Sequence, residues 1–125
     1  MATLIRFPTH RDERGLLTVA EKELPFAPVR AFWITGAEGQ TRGGHGHKRT
    51  HLVLVAIAGS VRVSVHSPQG GEFHLQSPGE GLHLLPEDWH VLHYGPAAAL
   101  LALASHGYDA DDYVLTPPEG NALRP

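Results

Sequence analysis

The sequence predicts an all-β fold of the sandwich or barrel type, and two observations carry this prediction. No window longer than about ten residues has the period of an amphipathic helix, whereas short apolar and β-branched runs recur along the chain. Turn-forming residues separate these runs at intervals of about eight to twelve residues, a spacing typical of antiparallel strands. A chain of 125 residues has the size of one domain, so we expect a single domain over residues 1–125.

The first four predicted strands are separated by breakers: Pro25 and Pro28, then the glycine-rich segment 36–39. Asp12 and Gly15 predict a turn after the first strand. These four strands are Leu4–Phe7, Leu16–Ala20, Val29–Thr35 and Gly44–Lys48.

Six more strands follow, and glycine or proline turns separate them. In one of them the valines take one face while His66 takes the other, so we expect His66 to be exposed. The turn Ser67–Gly71 predicts a hairpin, Asp109–Asp112 predicts one helical turn, and the proline-rich tail 117–125 is expected to be loose. The six strands are His51–Ala58, Ser60–His66, Glu72–Gln76, Gly81–Leu85, Trp89–Tyr94 and Ala99–Ala104.

Composition excludes several classes of function. The net charge of −3 argues against general nucleic-acid binding, which needs a basic surface to displace counterions. Without cysteine there is neither a disulfide framework nor a thiol nucleophile. The sequence has no signal-peptide pattern and no run of about 18 apolar residues, which predicts a cytoplasmic protein without a membrane partner.

The most informative segment contains two histidines, His45 and His47, separated only by Gly46. At the start of a strand these two side chains point to the same side, because strand residues alternate between faces. Arg42 and Lys48 flank the pair. Convergent imidazoles beside cations suit either a metal site or an acid/base site for an anionic substrate.

A second motif, Pro86-x-x-x-His90, lies in the other half of the chain. About ten short strands with His-x-His in the first half and this motif in the second predict a cupin-type jelly roll, also called a double-stranded β-helix. In such a barrel the two motifs meet at one mouth, where small molecules bind. We expect Trp89 to pack in the barrel wall and His90 to line the pocket.

The residues leave two chemistries open. If His51 faces inward, then His45, His47, His51 and His90 can form a four-histidine site suited to Zn, Fe or Ni; if Leu52 faces inward, the carboxylate ligand usual in metal cupins is absent. Without a metal, one neutral imidazole can take a proton from a carbon next to a carbonyl, and a second can return it. Arg42 and Lys48 then anchor the negative part of the substrate.

Four segments together resemble the sugar 3,4-ketoisomerase family, the WxcM-like cupins that act on dTDP-4-keto-6-deoxyglucose. In order and spacing they extend over roughly residues 4 to 114. The segments are Asp12–Gly15, Arg42–Lys48, Gly81–His90, and Leu103–Ser105 followed by Tyr108-Asp109 and Asp112-Tyr113.

The resemblance implies an isomerase without metal or other cofactor, which moves a keto group between C4 and C3 of a dTDP-linked sugar through an enediol. It assigns proton transfer to His47 and His45, and the diphosphate to Arg42 and Arg14. The aromatic strand Phe32-Trp33 is expected at the nucleotide or in the pocket wall, together with the pocket residues His90 and His51. Family members are homodimers that exchange strands, and the segment before Pro28 is the expected source of those strands.

Three positions depart from the family pattern. Thr41 stands where a second arginine is common, His51-Leu52 replaces a segment with glutamine, and His106 replaces an aspartate. These changes are compatible with another sugar or nucleotide. They also leave open a non-catalytic cupin that only binds a sugar or nucleotide.

Overall fold

The computed structural model describes residues 1–66 and 70–118, and its regular secondary structure consists almost entirely of antiparallel strands. One short 3-10 helix, Ala110–Asp112, precedes the last strand. The strands are β1 (Thr3–Arg6), β2 (Thr9–Asp12), β3 (Gly15–Thr18), β4 (Arg30–Thr35), β5 (Thr41–His47), β6 (Leu52–Ala58), β7 (Val61–His66), β8 (Gly71–Leu75), β9 (Glu80–Leu84), β10 (Trp89–Tyr94), β11 (Ala99–Ala104) and β12 (Tyr113–Val114).

Two five-stranded sheets enclose the main core. The first sheet has the order β1-β9-β6-β11-β4, and the second has the order β12-β5-β10-β7-β8. Alternate residues of β6 and β7, among them Leu54 and Val63, point into one shared cluster of buried side chains. The predicted all-β fold is therefore confirmed.

A second apolar layer covers the outer face of the first sheet. Val53 and Val55 of β6 point away from the main core and are buried with Phe7, while Leu24 and Phe26 pack against them. The segment between β3 and β4 thus shields the back of the sheet. This arrangement explains why β6 is a continuous apolar run instead of an alternating one.

The ten predicted strands are all present, with shifts at their ends, and two further strands were not predicted. One of these is β2, whose sequence Thr-His-Arg-Asp is exposed throughout and has no apolar alternation to reveal it. The predicted helical turn is confirmed, with the Asp109 side chain accepting a hydrogen bond from the Asp111 backbone. Strands β7 and β8 pair as the hairpin requires, although residues 67–69 of its turn and residues 119–125 of the predicted tail lie outside the described part.

The prediction that His66 is exposed is wrong. His66 is only 8% exposed. It lies opposite Trp89 in the pairing of β7 with β10, and the two rings lie 5.7 Å apart. Trp89 is itself buried, as expected. A large aromatic neighbour on the adjacent strand thus covers a position that strand parity alone assigns to solvent.

Candidate active site

Three histidines meet inside the barrel, beside the second sheet. His45 and His47 extend from β5 to the same side, and β10 places His90 opposite His45. The ring centroid of His45 lies 5.3 Å from that of His47 and 5.0 Å from that of His90. Strand parity therefore brings together the two sequence motifs that we expected to meet.

Gly46 allows this close crossing of the chain. A Cβ atom at this position would lie 3.2 Å from the Pro86 carbonyl oxygen and 3.3 Å from the Trp89 Cα. The His47 backbone N–H donates to the same Pro86 carbonyl at 3.0 Å. The absence of a side chain at Gly46 thus lets the two histidine motifs approach each other through their backbones.

Burial keeps the three imidazoles neutral near pH 7. It lowers the pKa of His47 to about 4, an effect strengthened by the charges of His45 and Arg30 and opposed by Asp112. Burial likewise lowers the pKa of His90 to about 3 and places that of His45 below its ordinary value. Neutral imidazoles have a free lone pair, so they can act as bases.

The tautomer of His90 follows from its surroundings. Its Nδ1 lies 2.9 Å from the backbone carbonyl of Asp88, and a carbonyl can only accept a hydrogen bond. Nδ1 therefore carries the proton, and Nε2 of the neutral ring is an acceptor. His90 is 2% exposed, so this contact also fixes the direction of the ring.

A cavity of about 180 Å³ opens beside His45 and His90, and His47 lies behind His45 without being one of the lining residues. Its wall is mainly apolar, with polar groups contributed by the second sheet and by the last strand. The lining residues are Phe32, Ile34, Arg42, Gly43, His45, Leu52, Leu54, His90, Leu92, Leu100 and Tyr113.

Tyr113 closes one side of the histidine cluster. Strand β12 pairs with β5 and sets Tyr113 opposite His47, with 4.8 Å between the ring centroids. The ring also lies 5.0 Å from that of His45. An aromatic ring thus restricts the orientation of both imidazoles.

The carboxylate of Asp112 fixes the turn that follows His47. It accepts hydrogen bonds from the backbone of Lys48 at 3.1 Å and of Arg49 at 2.8 Å, and from the Thr50 hydroxyl. Burial alone would raise the pKa of the Asp112 carboxyl, but these hydrogen bonds and the nearby cations outweigh it and lower the pKa. Asp112 is therefore a buried anion with matched donors.

Two of the predicted substrate-binding residues line the cavity: Arg42 and His90. Lys48 lies just beyond β5, where its side chain is exposed and does not belong to the cavity wall. Trp33 is 67% exposed on the outer face of β4, and alternation turns its neighbour Phe32 into the cavity instead. The expectation that Trp33 lines the pocket is wrong for the cavity formed within this chain.

His51 does not face the cavity, and the prediction that it lines the pocket is wrong. Leu52 takes the inward position, so His51 points to the outer face, where its Nδ1 lies 3.0 Å from His83 Nε2. The four-histidine metal site with His45, His47 and His90 therefore does not form. No group of three or more potential ligand side chains in the described ranges has the geometry of a metal site.

Arg14 lies away from the cavity of its own chain. It sits in the turn between β2 and β3, where its guanidinium forms an ion pair with Asp12 at 2.5 Å. The Asp12 carboxylate also accepts a hydrogen bond from the Arg14 backbone at 2.8 Å, which is the turn predicted from the sequence. The side chain of Arg14 is 86% exposed.

Three residues near the site have no role predicted from the sequence: Arg30, Tyr113 and Asp112. The first shares the inner face of β4 with Phe32 and Ile34, and the period-2 alternation of this strand was a signal that could have identified it. Tyr113 and Asp112 had no such signal. A contact between residues about sixty positions apart positions them, and strand periodicity does not report it.

The fold and the cavity define a cupin-type barrel with a histidine-lined interior. The family described as "FdtA: WxcM-like, C-terminal" matches residues 1–119. The chain therefore belongs to this family, and the predicted family resemblance and cupin fold are confirmed.

Three relatives place the chain within the family. It is 36% identical over 116 residues to the TDP-4-oxo-6-deoxy-α-D-glucose-3,4-oxoisomerase of Aneurinibacillus thermoaerophilus, covering 89% of this chain and 84% of the relative. A histidine-to-asparagine mutant of the 3,4-ketoisomerase QdtA from Thermoanaerobacterium thermosaccharolyticum, solved with TDP-4-keto-6-deoxyglucose, is 33% identical with a TM-score of 0.88, covering 92% and 87% of the two chains. The TDP-quinovose 3,4-ketoisomerase WlaRB of Campylobacter jejuni is 30% identical with a TM-score of 0.87, covering 92% of each chain.

The structure also bears on membrane association. Across the described residues, no helical segment has the length and apolar character needed to span a bilayer.

Proposed function

We propose that this protein is a nucleotide-sugar 3,4-ketoisomerase that acts on a TDP-linked 4-keto-6-deoxyhexose, with His47 and His45 as the proton-transfer pair. The observation that carries the proposal is the pair of neutral imidazoles at one small cavity: His45 lines it, and the ring of His47 lies 5.3 Å from that of His45. The names of the relatives supply the substrate class, since two of them are 3,4-isomerases of TDP-linked sugars and a third was solved with the keto sugar.

The proposed reaction is a proton relay between two neighbouring carbons. His47 removes the proton from C3, whose acidity comes from the adjacent C4 carbonyl, and an enediol forms. C4 of the enediol then takes a proton while the C3 hydroxyl loses one, which leaves the carbonyl at C3, with His45 completing the relay. The sugar gains and loses the same number of protons, so the reaction as proposed uses no metal, cofactor or second substrate.

The size of the cavity supports a placement for the substrate. Ligand pockets that enclose a drug-sized molecule have volumes of about 300–1,000 Å³. The cavity of about 180 Å³ suits a single sugar ring better than a whole nucleotide sugar. We place the sugar inside and the diphosphate at Arg42, whose planar guanidinium is suited to bidentate phosphate binding.

Binding of the anionic substrate also adjusts the base. A pKa of about 4 makes free His47 a weak base. Negative charge brought into the cavity favours the imidazolium, so it raises the pKa of His47 when the proton must be accepted. Neutral at rest and more basic with substrate bound, His47 fits the role of a general base.

We further propose a homodimer that is formed through the hairpin β2–β3. This hairpin pairs only with itself among the described strands, and its Leu16 and Leu17 are 52% and 62% exposed. Exposed leucines on a separate hairpin are suited to pack on a second copy of the chain. The molar mass measured by light scattering tests this, because a monomeric mass at micromolar concentration would contradict the proposal.

The central experiment measures exchange at C3. The protein is incubated in D₂O with TDP-4-keto-6-deoxyglucose, and deuterium at C3 and the appearance of the 3-keto product are followed by NMR. We expect the wild type to exchange and isomerise, and His47→Asn to do neither while it keeps its affinity for TDP. His74→Asn is the matched control, since His74 is exposed on β8, and it should behave as wild type.

The same experiment separates the enzyme from a binding protein. A chain that binds TDP and the keto sugar without C3 exchange would be a non-catalytic binder and would overturn the proposed reaction. A His47→Asn variant with wild-type turnover would overturn the assignment of the base instead.

A further inference from the structure

One arginine beside the cavity wall, although not itself a lining residue, has no anionic partner among the described residues. Arg30 is the first residue of β4 and shares its inner face with the cavity residue Phe32. Its guanidinium carbon lies 5.0 Å from the centre of the Phe32 ring and 5.9 Å from that of Tyr108. Two aromatic rings thus hold the cation by cation–π contacts next to the wall of the cavity.

The donors of Arg30 are not used within the described chain. No carboxylate of residues 1–66 or 70–118 forms an ion pair with it, and its Nε is buried without a hydrogen-bond partner. Arg14, Arg49 and Arg62 each pair with a carboxylate, and although other described arginines also lack an ion pair, Arg30 is the one with a buried nitrogen that has no partner. Leaving a buried charged donor unsatisfied is costly, and such a group in a folded protein suits an external acceptor.

The position of Arg30 relates it to the proton-transfer pair. Its positive charge is one of the causes that lower the pKa of His47. A chain of rings connects the two residues: Tyr108 lies 5.9 Å from Tyr113, and Tyr113 lies 4.8 Å from His47. The charge of Arg30 therefore acts on the position where His47 takes a proton, and Tyr108 and Tyr113 form the aromatic layer between the two residues.

Isomerisation creates such a charge. When the C3 proton moves to His47, the electron pair of the C3–H bond forms the C3–C4 double bond. The π pair of the C4 carbonyl then moves to its oxygen, which becomes an enediolate anion until a proton arrives. A preorganised cation at that oxygen lowers the barrier, because its interaction strengthens as the charge appears.

We propose that Arg30 is a catalytic residue that binds the C4 oxygen of the keto sugar and stabilises the enediolate. This role rests on the proposed ketoisomerase function. It divides the work between two arginines: Arg42 holds the diphosphate, and Arg30 holds the oxygen that becomes negative. Neither the sequence motifs nor the names of the relatives assign a role to Arg30.

The test compares three variants in the C3 exchange assay at saturating TDP-4-keto-6-deoxyglucose. Arg30→Met keeps the apolar stem and removes the charge, and we expect its exchange rate to fall at least ~100-fold, the usual effect of losing one oxyanion donor. Arg30→Lys keeps the charge without the planar fork and should recover part of the rate. Arg62→Met is the matched control, because Arg62 lies on β7 and pairs with Glu72 on the barrel surface.

Affinity for TDP, measured by calorimetry, distinguishes a role in chemistry from a role in binding. We expect Arg30→Met to bind TDP within about threefold of wild type, because the diphosphate contacts Arg42. An unchanged exchange rate in Arg30→Met would overturn the inference. A loss of TDP affinity with a wild-type rate at saturation would also overturn it and assign Arg30 to the diphosphate.

Two further measurements, the thermal stability of the variants and the exchange rate of the wild type, complete the test. Thermal unfolding of each variant separates a folding defect from a catalytic one. If Arg30→Met does not fold, the result depends on Arg30→Lys. A fully active Arg30→Lys variant, together with an Arg30→Met variant that is inactive only because it is unfolded, would contradict a catalytic role. Wild-type protein without exchange would show that the proposed function fails, whereas wild-type exchange with unaffected Arg30 variants would show that only this inference fails.

Discussion

The rings of Tyr113 and His47 pack against each other at 4.8 Å although 66 positions separate them in the chain, because β12 pairs with the end of β5. The contact orients the imidazole that we assign as the base. We expect Tyr113→Ala to lower kcat by ~10–100-fold, the effect of a misplaced catalytic group. Tyr113→Phe keeps the ring and should stay within about threefold of wild type. If both variants lose the same activity, the hydroxyl takes part in the chemistry and the packing argument is wrong.

The pH dependence of kcat/KM should report the depressed pKa of His47. Burial, together with the charges of His45 and Arg30, lowers this pKa to about 4, and the base acts in its neutral form above that value. Activity should therefore persist at pH 6 and fall by half near pH 4 in initial-rate measurements. A midpoint near 6.5, the ordinary value for histidine, would contradict the buried, neutral base.

His90 should make the protein sensitive to acid. Its pKa is about 3 in the folded protein and 6.5 without burial, so the unfolded chain binds the proton more readily. The contribution of neutral His90 to the free energy of unfolding is fully present above pH 6.5, and it is lost progressively as the pH falls toward 3. At 1.36 kcal/mol per unit, the loss at pH 5 is about 2 kcal/mol. Urea unfolding of His90→Gln should show a smaller loss between pH 7 and 5 than wild type, and equal losses would exclude His90 as the cause.

Asp112 should stabilise the fold through the turn after β5. Asparagine retains only one acceptor oxygen for three donors, so Asp112→Asn should cost about 1–3 kcal/mol in the free energy of unfolding. Asp111→Asn is the matched control, because the adjacent Asp111 is exposed and should change the unfolding free energy by less than ~0.5 kcal/mol. Equal effects of the two substitutions on chemical denaturation would contradict the buried network.

His51 should be dispensable for turnover. It faces the outer side of the first sheet and contacts His83 and Phe26 instead of the cavity. We expect His51→Gln to keep kcat within about threefold of wild type, and dialysis against EDTA to leave both proteins active. If the variant lost both its activity and a stoichiometric metal, the result would contradict this prediction and support the four-histidine site.

The sequence could predict the parts of the site that depend on strand parity. The period of two fixed the common direction of His45 and His47, and the second motif located His90 beside them. Parity alone does not say which face of a strand looks inward. For Trp33 and Phe32 the answer depends on which sheet face meets the barrel interior, and this is decided by packing of the whole fold.

The direction of His51 illustrates the same limit for a turn. Residues 48–51 connect β5 and β6, and the path of this connection determines whether His51 or Leu52 enters the cavity. Asp112, about sixty positions away, holds this turn through three hydrogen bonds. Local propensity carries no record of such a distant partner, so the sequence left both directions open.

The backbone contact at Gly46 has a consequence for how this barrel can acquire new substrates. Since the Pro86 carbonyl would meet a Cβ at 3.2 Å, the main chain sets how closely β5, with His45 and His47, approaches the segment before His90, and it leaves little scope for variation. Divergence toward other sugars must then come from exchangeable wall residues such as Phe32, Ile34 and Leu54. In a saturation library, many substitutions should be tolerated at the wall positions and almost none at position 46. The positions that determine substrate specificity would thus differ from the position that holds the histidine motifs together.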